Sequence, residues 1–239
     1  MGGWHRPSDI VLCDAGPWGA WWRLALVERQ GGQIARRLEA LARHRFAGSD
    51  LHRWLCETAP ADAVEQAAAF IALQASAARG KPVAPLPGGR WSSPGYAHLS
   101  DSARQRGFTE RLLPGKLAER VTAIMAIDWP RVIVIHDDAD KVECQPDGRV
   151  VIDPPYAGTT GYGAQLKRAR VCAIAQRHAE AGSLVGVCEA EPLNGADGPL
   201  KGWAATRLQR ESSMPRAVSI EEWITTSAPP ARPQVAMPW

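Results

Sequence analysis

Residues 149–155 read Arg-Val-Val-Ile-Asp-Pro-Pro, and the two prolines constrain the fold more than any other feature of the chain. Neither carries a backbone N–H, so neither fits inside a central sheet strand. The apolar run must end at Asp153. The stiff turn that follows presents a carboxylate, the Pro154 carbonyl and the ring of Tyr156 at a strand end. In an open α/β sheet, that is where ligands bind.

The chemistry of this turn is specific. Asp153 and the Pro154 carbonyl are two acceptors that can converge on one NH₂ group, and Pro154 and Pro155 hold them in place beforehand. Tyr156 adds a flat face on which a heteroaromatic ring can stack. Such a device suits the exocyclic amine of a nucleobase. The plainer reading is a proline-terminated strand whose acid caps the next turn.

The rest of the chain has a strand–helix rhythm. "DIVLC" (9–13) reads as a buried strand that enters the glycine turn "DAGPWG". Helical periodicity follows in "AWWRLALVERQ", "IARRLEALARHRF" and "ADAVEQAAAFIALQASAA". From about residue 116 come a helix ("KLAERVTAIM"), two strands ("RVIVIHDD", "RVVIDPPY"), a helix ("AQLKRARVCAIAQRHAEAG") and a strand ("SLVGVCEAE"). Two closing strands, "AATRLQR" and "EEWITTS", complete it. This alternation predicts an α/β fold, a mostly parallel sheet with helices on both faces and antiparallel strands at the end.

Between these parts lies an irregular basic stretch. Residues 79–120 hold eight Lys or Arg against three Asp or Glu, with Trp91, Tyr96 and Phe108 among them. Arg79, Lys81, Arg90, Arg104, Arg106 and Arg111 are candidate phosphate contacts, with Trp91 at a base step. A solvated loop is the competing reading of the same charge. The expected division is 1–78 and 116–227 as two parts of one catalytic domain, 79–115 as an insert, and 228–239 as a Pro-rich flexible tail.

Composition excludes several classes. The net charge of +3 permits a polyanionic partner without requiring one. The five cysteines are odd in number and lack metal-ligand spacing, which predicts reduced thiols and no metal. No apolar run approaches the ~18 residues of a membrane span. The chain is expected to be cytoplasmic, monomeric and free of membrane. "GTTGYG" (158–163) lacks the lysine of a phosphate loop. It reads instead as a loop placing Thr159 and Tyr162 near DNA.

"VIDPPY" resembles the Asp-Pro-Pro-Tyr motif of amino-directed DNA methyltransferases, in the form typical of N6-adenine enzymes. "RVIVIHDDADKV", "SLVGVCEAEP" and "IEEWITTS" are similar to further strands of that family. "IVLCDAGPWGAWWRLAL" is similar to the cofactor segment of Dam-like enzymes. The order of cofactor segment, basic region and catalytic motif matches the Dam-like class, over residues 9–227. The resemblance implies a Rossmann-like class I methyltransferase fold with S-adenosylmethionine as cofactor and double-stranded DNA as substrate. It further implies that Asp153, Pro154, Pro155 and Tyr156 hold a flipped-out adenine whose amine attacks the methyl group directly. Asp14, Gly16, Gly19, Asp138, Asp140 and Asp153 would then hold the cofactor.

The family's Gly-Gly-Lys stretch and Phe-x-Gly-x-Gly strand have no counterpart before Asp9. Either the chain lacks that strand, or Gly16 and Gly19 take over the glycine turn. Two alternatives stay open: a DNA-binding relative without catalysis, and an enzyme acting on cytosine N4 or a protein amide. Compact size and these departures suggest a phage or prophage origin.

Overall fold

The computed structural model describes residues 7–77, 82–96, 113–155, 166–208 and 222–227. It is a mixed α/β chain that divides into two compact units, Met1–Val142 and Glu143–Trp239. The unit boundary falls inside the segment 116–227 that the strand–helix rhythm groups together. No helix among the described residues is long and apolar enough to cross a membrane.

In the first unit, strand β1 (Asp9–Cys13) pairs in parallel with β4 (Arg131–Ile135), Asp9 opposite Arg131 and Cys13 opposite Ile135. Helix α1 (Pro17–Trp22) follows β1 and runs into a π-helical turn, Arg23–Val27. Then come α2 (Gly31–Ala42), α3 (Gly48–Glu57) and α4 (Ala63–Ser76). Two-residue strands β2 (Ala84–Pro85) and β3 (Trp91–Ser92) pair antiparallel before α5 (Pro114–Met125).

Local chemistry explains the helix starts. Asp62 caps α4 by accepting the Glu65 N–H at 2.7 Å, and Glu65 reaches back to the Ala61 N–H at 2.8 Å. Pro114 opens α5, where its missing N–H costs nothing. Trp21, Leu24, Ile34, Leu38, Phe70, Leu73, Leu117 and Val121 form the core that the helices share. Helix α3 is absent from the sequence expectations. Its apolar positions Leu51, Trp54 and Leu55 have helical spacing, but a glycine start and only ten residues mask the period.

In the second unit, β5 (Arg149–Ile152) pairs in parallel with β6 (Leu184–Glu189) through helix α6 (Arg168–Glu180). Strand β8 (Glu222–Thr226) runs antiparallel to β6, and β7 (Ala204–Leu208) runs antiparallel to β8. The sheet order is β5-β6-β8-β7. Val150 and Ile152 pack on a core of Val171, Cys172, Ala175, Val185, Val187, Leu193 and Leu200. Val151, of opposite parity on β5, is 72% exposed.

The closing antiparallel strands match the expectation. Among the described residues the strands make a parallel pair, a short antiparallel pair and a four-stranded mixed sheet. Period-2 patterning specifies that a segment is a strand, but long-range partners decide which sheet it joins.

Candidate functional site

The Asp-Pro-Pro turn lies where the parallel strands of the second unit end. Ile152 is opposite Val187 on β6, so the next step brings Asp153 alongside Cys188. Strand β8 runs the other way, with Trp223 opposite Glu189. Its first residue, Glu222, therefore comes to the end of the sheet that Asp153 occupies. Pro154 is buried and Pro155 is half-buried, and the proline rings restrict the backbone of this turn.

This strand end is acidic. Although Asp153 keeps contact with solvent, burial of its carboxyl pushes its pKa up, and the Glu222 carboxylate adds to the shift. The Cys188 thiol is likewise pushed up, by burial first and then by Asp153 and Glu222. Glu189 is only 3% exposed. Arg168, at the start of α6, lies 3.9 Å from its carboxylate and 3.3 Å from that of Glu191. A cation at a helix N-terminus opposes the helix dipole, and these two acids offset the cost.

The candidate cofactor residues of the first unit also gather at strand ends. Cys13 is opposite Ile135, and the Asp14 N–H donates to the Ile135 carbonyl at 3.1 Å. Asp14 and the acidic turn 137–140 thus leave the same end of the β1–β4 pair. Asp14 Oδ1 accepts the Gly16 N–H at 2.7 Å and the Gly19 N–H at 3.1 Å. Asp138 Oδ1 accepts the Asp140 N–H at 3.2 Å and starts a 3-10 turn, Ala139–Lys141. Burial raises the Cys13 thiol, helped by Asp14, Asp138 and Asp137.

Carboxylates at parallel strand ends suit ribose hydroxyls and amines. The glycines suit a cofactor less well. A Cβ on Gly19 would overlap the Asp14 carbonyl and come 2.9 Å from His136. The Gly19 N–H is also committed to Asp14. Close packing of α1 on β1 accounts for this glycine, and the turn is filled by its own chain.

Of the candidate DNA contacts, Arg90 is exposed and follows a turn closed by the Leu86 N–H on the Arg90 carbonyl at 2.8 Å. Gly88 and Gly89, both at φ +77°, supply the left-handed backbone of that turn. Trp91 corrects the sequence expectation. It is 4% exposed and stacks on Phe70 at 5.7 Å, so its ring is spent on the core. Aromatic residues in a basic stretch carry no sign of which will be drawn inward. Tyr156, Thr159, Tyr162, Arg79, Lys81, Arg104, Arg106 and Arg111 lie outside the described residues.

Glu222, Glu189 and Arg168 were missed in the sequence. The signal for Glu222 was available: an antiparallel strand begins where its parallel neighbours end. All five cysteines are free thiols. No protein-family model matches the chain, and no curated protein matches it.

Proposed function

We propose that the chain is an S-adenosylmethionine-dependent methyltransferase of Dam-like type, with a Rossmann-like class I fold, acting on the N6 amine of adenine in double-stranded DNA. The observation that carries this reading is Asp153 at the end of parallel strand β5, followed by buried Pro154, whose ring restricts the backbone of the turn. Asp153 and the Pro154 carbonyl accept hydrogen bonds from the base amine and aim its nitrogen. A carboxylate whose pKa is raised is the stronger proton acceptor, so Asp153 is suited to take the proton that the amine loses. When bound, S-adenosylmethionine would supply an electrophilic methyl group carried on a sulfonium sulfur, with the thioether as leaving group.

Asp14, Asp138 and Asp140 are the carboxylates that would face the cofactor in the first unit. A second reading, DNA binding without methyl transfer, is favoured by the filled Gly16–Gly19 turn. Nucleoside analysis of DNA from cells expressing the protein tests the substrate: N6-methyladenine is expected, and methylcytosine in its place would overturn the choice of base. Calorimetry with S-adenosylmethionine separates the two readings. No binding, with or without duplex DNA, removes the enzyme and leaves the DNA-binding relative.

A further inference from the structure

His52 on α3 is 5% exposed and joins three parts of the first unit. Its Nδ1 lies 2.8 Å from Ser76 Oγ at the end of α4, and its Nε2 lies 2.7 Å from Ser93 Oγ just beyond β3. The Ser76 side sets the direction of the protons. Its hydroxyl donates to the Ala72 carbonyl at 2.7 Å, which leaves its oxygen to accept the Nδ1–H. The imidazole is then neutral with its lone pair on Nε2, and the Ser93 hydroxyl donates to it.

Ser93 has further duties. Its oxygen accepts the Gly95 N–H at 3.2 Å, and its hydroxyl lies near enough to the Cys56 thiol, one turn along α3 from His52, to favour the thiolate slightly against the burial that pushes the thiol up. The Tyr96 ring stands edge-on to the imidazole at 5.8 Å, and Tyr96 also bridges to the backbone of Ala77. Among the described residues, the titratable groups that face His52 are Cys56 from α3 and Tyr96 from the 91–96 segment. Helix α4 contributes the Ser76 hydroxyl. None of these supplies a negative charge to balance an imidazolium at neutral pH.

We propose that His52 is a positioning residue that latches segment 91–96, and with it Arg90, at the root of the basic stretch, and that the latch holds only while the imidazole is neutral, so that DNA binding weakens as pH falls. The functional half rests on the DNA-binding reading above; the latch itself does not.

Protonation would place a second N–H on Nε2, aimed at a hydroxyl already acting as donor. Ser93 would have to turn its proton away, toward the weakly accepting Cys56 sulfur. The cation would also sit desolvated, with no carboxylate beside it among the described residues. Burial accordingly holds the His52 pKa below its ordinary value. A depressed histidine stabilises the fold above its unfolded pKa of about 6.5, and that contribution is lost as pH falls below it. The expected trend in DNA affinity opposes the general gain in positive charge on acidification.

The test follows amide hydrogen exchange in residues 91–96 of the full chain between pH 7.5 and 5.5, corrected for intrinsic exchange, beside binding of a fluorescent DNA duplex. A local readout is needed because His178, on α6 of the other unit, is also buried with a depressed pKa. Wild-type protection should fall as pH drops below the unfolded pKa, by up to about tenfold per pH unit for one linked proton. His52→Gln, which has no titratable ring, should give a flat profile. Ser93→Ala keeps the ring, removes the latch contact and should exchange fast at pH 7.5 with little further change. It serves as the second variant if the first fails to fold.

Wild-type protection independent of pH would overturn the latch. DNA affinity that holds constant while protection falls would overturn its role in binding. Absence of duplex binding at every pH, with the exchange profile as expected, would instead overturn the proposed function and leave the latch standing.

Discussion

The backbone of Gly19 rests against the backbone carbonyl of Asp14, and the Gly19 N–H donates to the Asp14 side chain at 3.1 Å. One residue is thus held at both its backbone and its donor by the other. Gly19→Ala should destabilise the first unit by about 1–3 kcal/mol, the usual cost of overpacking where backbone must move. Gly16→Ala, whose Cβ would meet Asp14 Oδ1 at 3.2 Å, should cost less. Urea unfolding followed by tryptophan fluorescence compares the two, since seven of the ten tryptophans lie in residues 1–142.

Asp14 itself acts as a cap for α1. Removing its carboxylate in Asp14→Ala orphans the Gly16 N–H and leaves the Gly19 N–H only the Gly16 carbonyl at 3.1 Å, and should cost about 0.5–2 kcal/mol. Asp14→Asn keeps one accepting oxygen and should recover most of that loss. Equal destabilisation by both variants would mean that the charge, and not the hydrogen bonds, matters there.

Asp153 predicts a separation of stability from activity. Its carboxyl has a raised pKa in the folded state, so ionisation disfavours folding. Stability from this group is fully present below its unfolded pKa and is lost as pH rises through the folded value. Asp153→Asn should abolish the proposed methyl transfer while leaving stability at pH 7 no lower than that of the wild type. Any gain should vanish in thermal melts near pH 3.5. Affinity for duplex DNA should survive.

Arg90 and Trp91 are neighbours with different work. Trp91→Ala should cost about 3–5 kcal/mol as a large core truncation. Arg90→Ala should leave stability within about 0.5 kcal/mol. Its effect is expected in the salt dependence of DNA binding, with a log–log slope shallower by about 1. Filter binding across a salt series gives both slopes, and an unchanged slope would remove Arg90 from the DNA contacts.

Much of this was legible in the sequence because the signals are local. Two prolines end β5, apolar runs mark β1, β4, β5 and β6, and helical periodicity marks α2, α4, α5 and α6. The acid at position 14 and the turn at 137–140 were readable as strand-end groups, and the structure puts them at the end of one parallel pair. What stayed hidden depends on distant partners. Nothing near Trp91 announces Phe70, and the serines that hold His52 are 24 and 41 residues away. Sheet membership is of the same kind.

The β1–β4 pair has a further consequence, in time rather than space. Asp9 and Arg131 close it with an ion pair at 2.6 Å, across 122 positions of chain. At ribosomal speeds of about 5–20 residues per second, β1 waits roughly 6–25 s before its partner has even been made. Through that interval an apolar strand has no ladder, while the intervening helices are free to fold around their own contacts. Closing so long a loop costs entropy that only the finished pair repays. Strand β1 is therefore secured long after it is synthesised, and nascent chains arrested before residue 131 should be the species that chaperones hold.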